Sequence, residues 1–285
     1  MHPPAQRAVR RLTAAIAVAC LVLLAAACGG GGSDTPSVKL VLRADLSGLP
    51  PGVEPSAVLD GLAEALMARA NAFGVESVDV KPDVPSQQLT VTIRGFISPE
   101  EVRELMEGRG QLDLREPKRD EAGNVVCKGE DGAEFAVAAE DLKYETAESD
   151  DRILPRCPVG AKAAGEIVWD GITAGRPEGQ EAVPVPIQQS GASVATGGEP
   201  VVIIGLTQES GVDLQEVSKG LIGLPMGVFL DDEILVAPTV SEPVVTDKLP
   251  IAGLDARRAK LLAARIGPGL LPVPVEVVSE GQNAE

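Results

Sequence analysis

QQLTVTIRGFISPEEVRELMEGRGQLDLR, residues 87–115, is the stretch from which the fold can be read. Leu89, Val91 and Ile93 alternate with polar neighbours, the period of a half-buried strand. Ser98-Pro99-Glu100-Glu101 then has the form of a helix start. Serine is a good N-cap, proline fits the first turn, and glutamate at the third position closes a capping box. The helix is expected to run to about Glu107, before Gly108, and QLDLR (111–115) is expected as a strand. Upstream, VKLVLRADL (38–46) sets Val38, Leu40 and Leu42 against Lys39 and Arg43, another strand. LPPGVEPS is a turn, and residues 56–73 place Leu59, Leu62, Leu66, Ala70 and Phe73 on one helical face. Gly74 stands where a left-handed C-cap belongs, and VESVDV supplies a further strand. The order is β-α-β-β-α-β, the ferredoxin-like order.

Downstream the pattern breaks. Residues 116–199 are polar and irregular, with the lone Trp169 and the lone Tyr144, and are expected as short strands and loops. AVPVPIQ and GASVATGGEP read as turns or edge segments. Regularity returns with VVIIGL (201–206), a strand, and ESGVDLQEVSKG, which spaces Val212, Val217 and Leu221 in near-helical fashion. MGVFLDDEILVAPTV (226–240) reads as a hairpin turning at Asp231-Asp232. Asp255 caps a helix over 256–266 with Leu262 and Ile266 inward, and LPVPVEVV (271–278) closes with Val273, Val275 and Val277 on one side. The expected architecture is α+β: a split ferredoxin-like (βαββαβ) base with an inserted irregular, β-rich head. The base comprises 38–115 and 200–278, the head 116–199, and 279–285 is a tail.

The amino terminus suggests a compartment. Arg7, Arg10 and Arg11 precede an unbroken small and apolar run over 12–27, then Cys28 and GGGGSD. This describes a lipoprotein-type secretory signal, because an apolar run that short is poorly suited to spanning a membrane. Ala25 holds the place where the usual box has leucine, with Leu24 one further out. An uncleaved anchor is the alternative. Residues 28–37 are expected as a flexible tether, with Cys28 lipidated at the extracytoplasmic face of the cell membrane. The formal net charge of −17 becomes −20 once the three signal arginines leave. Such a charge keeps the folded part off an anionic lipid surface. Of four cysteines, Cys20 leaves with the signal and Cys28 takes the lipid, so Cys127 and Cys157 remain as an even pair in an oxidising compartment. A disulfide between them would contribute roughly 3–4 kcal/mol. Their wide separation argues against a redox-active pair.

Composition excludes several activities. The only histidine is His2, inside the expected signal, so triads, HExxH zinc sites and histidine shuttles are ruled out. An acidic chain without a basic stripe is a poor nucleic-acid binder, and 2% aromatics leave few stacking platforms. Asp231, Asp232 and Glu233 lack the spaced ligands of a calcium loop and read as a solvated turn. Asp45, Asp79 and Asp83 could supply an acid/base pair, but acids are abundant here. Pro272 and Pro274 read as blunting the last strand's edge rather than offering it to an added strand. No enzyme activity, metal or cofactor is expected.

Three segments carry a family resemblance. RANAFGVESVDV (69–80), with Asn71, Phe73 and Gly74, resembles the segment after the first periplasmic helix of the protein-export family SecD. VFLDDEILVAPTVSEPV (228–244), with Leu230, Asp231, Ala237 and Pro238, is similar to the family's hairpin. LLAARIGPGLLPVPVEVV (261–278), with Leu271, Pro272 and Pro274, resembles its closing helix and strand. VVIIGLTQESGVDLQEVSKG fits more loosely. The resemblance implies a ferredoxin-like base with a mobile head, and a role beside SecF in late, proton-driven Sec export. Translocating polypeptide or Sec translocase subunits would be the partners, with the membrane reached through the lipid. Two departures stand out. The family's transmembrane helices follow its closing strand, whereas a freestanding domain without that bundle is expected here. The family's Leu-Asp-Gly turn is Leu230-Asp231-Asp232, which implies a looser turn. An envelope scaffold lipoprotein reusing the base is the alternative function.

Overall fold

The computed structural model describes residues 36–95, 97–146, 152–159, 162–173, 182–195 and 197–283. The expected signal (1–27), Cys28 and most of the tether lie outside them. In chain order the first elements are β1 (Ser37–Ala44), α1 (Pro55–Phe73), β2 (Ser77–Asp83), β3 (Gln88–Arg94) and α2 (Pro99–Met106). Next come β4 (Leu112–Pro117), β5 (Val125–Lys128), β6 (Glu134–Val137), β7 (Lys143–Thr146), β8 (Ile153–Val159), β9 (Lys162–Ile167) and β10 (Trp169–Asp170). Then follow β11 (Val185–Ile187), β12 (Gln189–Ala195), β13 (Val201–Leu206) and α3 (Gln208–Gly220). The last are β14 (Gly227–Leu230), β15 (Glu233–Val236), β16 (Lys248–Ile251), α4 (Ala256–Ile266) and β17 (Val275–Asn283). No helix of the described residues is long and apolar enough to cross a membrane.

The base is a four-stranded antiparallel sheet in the order β17-β1-β3-β2. Alternation explains its one-sided core: Val38, Leu40, Leu42 and Ala44 point in while Lys39 and Arg43 stay exposed. Leu89, Val91 and Ile93 do the same on β3. Leu59, Leu62, Leu66, Ala70 and Phe73 of α1 and Val102, Leu105 and Met106 of α2 complete this cluster. Both helix ends follow the sequence signals. Gly74, at φ 81°, donates its N–H to the carbonyls of Ala70 and Asn71. Ser98 Oγ accepts from the Glu101 amide at 3.2 Å, and Glu101 Oε2 accepts from the Ser98 amide at 2.8 Å. Asp255 likewise caps α4 through the amides of Arg257 and Arg258.

The closing strand corrects the expected partition. Residues 111–115 do not complete the base; β4 pairs instead with β14, β11 and β10. The base is closed by β17, which runs from Ala44 opposite Val275 to Ser37 opposite Asn283, so the expected tail is largely strand. Both segments alternate, and short-range pattern does not distinguish them. What separates them is cover, because β4 buries Leu112, Asp113, Leu114 and Glu116 and so needs neighbours on both faces.

Most of 200–278 therefore lies outside the base. β12, β13 and β16 form one sheet, and β14 and β15 extend the sheet of β4. Together with α3 and α4 they enclose a second core of Leu112, Leu114, Val202, Ile204, Leu214, Val228 and Ile266, among others. Val217 and Leu221 are buried as expected, but Val212 is 54% exposed, and Ser210 and Leu214 complete the inner face of α3. The hairpin turn is tight rather than loose. Leu230 pairs with Glu233, and Asp231 and Asp232 take φ of 48° and 73°, the left-handed values that a two-residue turn requires.

The stretch 116–199 also divides. β5 to β9 make a five-stranded sheet, β6-β5-β9-β8-β7, whereas β11 and β12 join the second core. Cys127 and Cys157 are disulfide-bonded and fully buried beside Val125 and Ile167. They come from the strands flanking β9. A Cβ on Gly165, opposite Cys157, would stand 2.7 Å from the Phe135 ring and 3.1 Å from Cys157 Cβ, so the absence of a side chain there lets the small core close.

Candidate functional site

The family-like hairpin delivers Asp231 to a joint between the two larger cores. The link from α2 to β4 is a loop over 107–111, with Gly108 at φ 70° and Gly110 at φ 76°. Asp231 accepts three consecutive amides of this loop: Arg109 at 3.1 Å, Gly110 at 2.9 Å and Gln111 at 3.0 Å. It also receives Arg265 Nη2 of α4 at 2.8 Å and donates its own amide to the Gln111 carbonyl at 2.9 Å. With its side chain only 14% exposed, Asp231 is not the solvated turn residue that the sequence suggested. A carboxylate taking several backbone donors is satisfied without a metal, and among the described residues no group of three or more His, Cys, Asp or Glu could hold one.

Arg69 lies beneath the same loop and is fully buried. Its Nη1 donates to the carbonyls of Leu105, Glu107 and Gly108 at 3.3–3.4 Å, capping the end of α2. Among the described residues, Arg69 Nε and Nη2 and Arg265 Nε have no hydrogen-bond partner. Burial lowers the Arg69 pKa to about 10; Arg265 pushes the same way and Asp231 opposes. A Cβ on Gly110 would come within 2.7 Å of Arg69 Nη2, so glycine is needed there for space as well as for φ. Leu271, the first residue of the closing motif, meets the loop from the other side: its amide donates to the Arg109 carbonyl at 2.9 Å.

The remaining motif residues serve packing and further joints. Phe73 is buried under Arg257 and Lys260, 5.1 and 5.2 Å from the ring centroid. Asn71 and Gly74 form the α1 cap, and Leu230 is buried opposite Leu112. The Ala237 carbonyl accepts the Tyr144 hydroxyl at 3.2 Å, and the Pro238 carbonyl accepts the Met226 amide at 3.0 Å. Arg152 donates to the Ile234 carbonyl at 2.7 Å and to Glu233 at 2.9 Å. Tyr144 and Arg152 thus rest the disulfide-bearing sheet on the hairpin. Pro272 and Pro274 are exposed, and the Pro274 carbonyl receives the Asp45 amide at 3.0 Å. The candidate acids have local partners instead of one another: Asp45 with Ser47, Asp79 with Lys81, Asp83 with Ser86. Bonds from Ser47 hold the Asp45 carboxyl below its ordinary value, which suits a fixed anion rather than a general acid.

Sequence reasoning missed Arg69 and Arg265. A signal was present, since Arg69 falls on the apolar stripe of α1, between Leu66 and Phe73. Among the described residues, open grooves lie on the base and beside β12. One, about 630 Å³, is lined by Arg43, Asp45, Gln87, Pro274 and Glu276 at one end of the base sheet. The other, about 510 Å³, runs beside Gly191–Val194 of β12, between Ala68 and Ala72 of α1 and Ala263 and Ala264 of α4.

Residues 186–273 match the family described as SecDF, P1 head subdomain. That span contains β12, the hairpin and α4. The protein translocase subunit SecD of Acidaminococcus fermentans is 33% identical over 93 residues, 32% of this chain and 22% of that protein. SecD of Thermobaculum terrenum is 30% identical over 84 residues, 30% of this chain and 16% of that protein. The matched stretches therefore span about a fifth of these relatives' length. The crystal structure of SecDF in a super-membrane-facing form superposes with a TM-score of 0.52 at 19% identity, covering 87% of this chain and 30% of that one. The chain is SecD-like, with the α+β fold of a SecD periplasmic domain.

Proposed function

We propose that this chain is a lipid-anchored extracytoplasmic protein that assists Sec-dependent export by contacting translocating polypeptide or the translocase. The SecD-like match over residues 186–273 carries this reading. It falls on β12, the Asp231 hairpin and α4, which supply Asp231 and Arg265 to the joint described above. In this reading residues 1–27 are a signal, Cys28 carries the lipid, and the tether leads into β1. The joint acts mechanically: a carboxylate and two buried arginines hold backbone groups in place and perform no bond chemistry. Photo-crosslinkers at Ile153, 61% exposed, and at the exposed Ser193 test the reading in secreting cells. Adducts with a secretory chain or a Sec subunit are expected, and their absence from both positions would refute it. Mass spectrometry of the mature amino terminus tests the lipid at Cys28; an unmodified or uncleaved terminus would overturn that part.

A second reading has one observation in its favour. The disulfide-bearing sheet, β5 to β9, lies outside the matched residues. An envelope scaffold lipoprotein reusing the base would then bind an unrelated partner. Pull-down from solubilised membranes that recovers such a partner and no Sec component would favour it over the export role.

A further inference from the structure

An antiparallel sheet packed on one face leaves its other face to solvent, and the base sheet is built that way. Leu40, Leu42, Leu89, Val91 and Ile93 enter the core, so the residues alternating with them face outward. The acids of this outer face are already engaged: Glu276 holds Arg43, Asp79 holds Lys81, and Asp83 accepts from Ser86. Lys39 and Arg94, both exposed, have no ion-pair or hydrogen-bond partner among the described residues. They are diagonal neighbours, since Lys39 lies opposite Thr92 and Arg94 opposite Ser37. One acid, Glu76, adjoins them: its amide donates to the Arg94 carbonyl at 3.0 Å. The corner thus carries two cations and one anion.

This corner is also where the chain enters the fold. The Pro36 carbonyl accepts the Gly95 amide at 3.2 Å, next to Arg94, and Ser37 begins β1. Cys28 and Pro36 are eight positions apart in sequence, at most about 29 Å of chain. A lipid on Cys28 therefore keeps this corner within that distance of the headgroups. The chain-wide charge of −17 argues against lipid contact by the body as a whole. At physiological salt, however, charges more than about 8 Å from the lipid plane are largely screened, so the charges on the part presented decide. Lysine and arginine close to an anionic lipid surface are attracted to it.

We propose that the Lys39–Arg94 corner of the base sheet docks onto anionic phospholipid headgroups and so sets how the anchored protein stands on its membrane. This rests on the lipid at Cys28, and it adds the orientation that an anchor alone leaves open.

Lysine acetylation followed by mass spectrometry reads the contact on the mature full chain. The chain is reconstituted in vesicles of phosphatidylcholine alone or with about 30% phosphatidylglycerol, an anionic lipid. Lys248, exposed on β16, is the internal control. Lys39 is expected to acetylate about threefold more slowly on the anionic vesicles, and Lys248 equally on both. About 0.5 M sodium chloride, which shortens the screening length to about 4 Å, should remove the difference. Arg94→Gln should weaken it and Glu76→Gln strengthen it, with circular dichroism establishing that each variant folds. Equal acetylation of Lys39 on the two vesicles would overturn the inference. So would a matching slowdown at Lys248, or a difference that Arg94→Gln leaves intact. Flotation with the neutral vesicles reports the anchor separately. A chain that does not float sinks the lipid at Cys28 and the corner with it, whereas one that floats with Lys39 unprotected sinks the corner alone.

Discussion

Asp231→Asn is the most demanding test of the joint. The carboxylate accepts three loop amides and one guanidinium, four donors in all. Asparagine keeps one oxygen, able to accept two of them, and turns an NH2 donor toward the others. Two donors in a largely buried place are left unmade, at about 1–3 kcal/mol each. Arg265 also loses its anion while its Nε is already without a partner, and Arg69 loses the nearby charge that opposes its burial. The total expected is about 3–5 kcal/mol, in line with removing one member of a buried ion pair. Asparagine tolerates the left-handed backbone at φ 48°, so strain adds little, whereas Asp231→Ala would add roughly 1 kcal/mol. Guanidinium unfolding at neutral pH reads the loss as a lower midpoint with an unchanged slope. Hydrogen exchange supplies an independent signature, because the amides of 109–111 lose their acceptor and should exchange faster. A midpoint shift worth less than about 1 kcal/mol, with those amides still protected, would refute the assignment of Asp231 as the lock.

Three further outcomes are expected. Asp232→Gly should stabilise the chain by about 0.5–1 kcal/mol, since glycine takes φ 73° freely and the lost Arg115 pair involves a side chain 85% exposed; a lower unfolding midpoint would count against this. Removing the Cys127–Cys157 bond, by reduction or a double Cys→Ala change, should cost roughly 3–4 kcal/mol locally, read as proteolysis confined to 125–167 while the base sheet stays protected from exchange. The Glu101 pKa is lowered, first by its bond from Arg257 and also by the Ser98 amide. A lowered folded pKa means stability present above the unfolded carboxyl value and lost as pH falls through the folded one. Glu101→Gln should therefore flatten the acid limb of the stability profile, with an effect of about 0.5–1 kcal/mol because Arg257 is half exposed; an unchanged limb would exclude the pair as its source.

The local structure was legible because its causes are local. The alternation of Val38, Leu40 and Leu42, the stripe of Leu59, Leu62 and Leu66, the Ser98 capping box and the Asp231-Asp232 turn all appear where the residues place them. Val212 misled because one apolar residue at near-helical spacing does not identify a face that Leu214 and Val217 define. β16 was missed because KLPI is short and holds a proline, which an edge strand accommodates.

Sequence alone determined the α+β class, the split base, the identity of the bonded cysteines and the three family-like segments. Each follows from periodicity, a cap, a count or a motif within a few residues. Tertiary structure decided which strand closes the base. Residues 111–115 and 271–278 carry equivalent alternation, and the choice falls to β17 because β4, buried on both faces, pairs with β14 and its neighbours instead. It also decided that Asp231 is a buried lock rather than a wet turn, and that Arg69 and Arg265 meet around it. These depend on groups more than thirty residues apart finding one another, and the strength of a buried charge is set by what surrounds it in space.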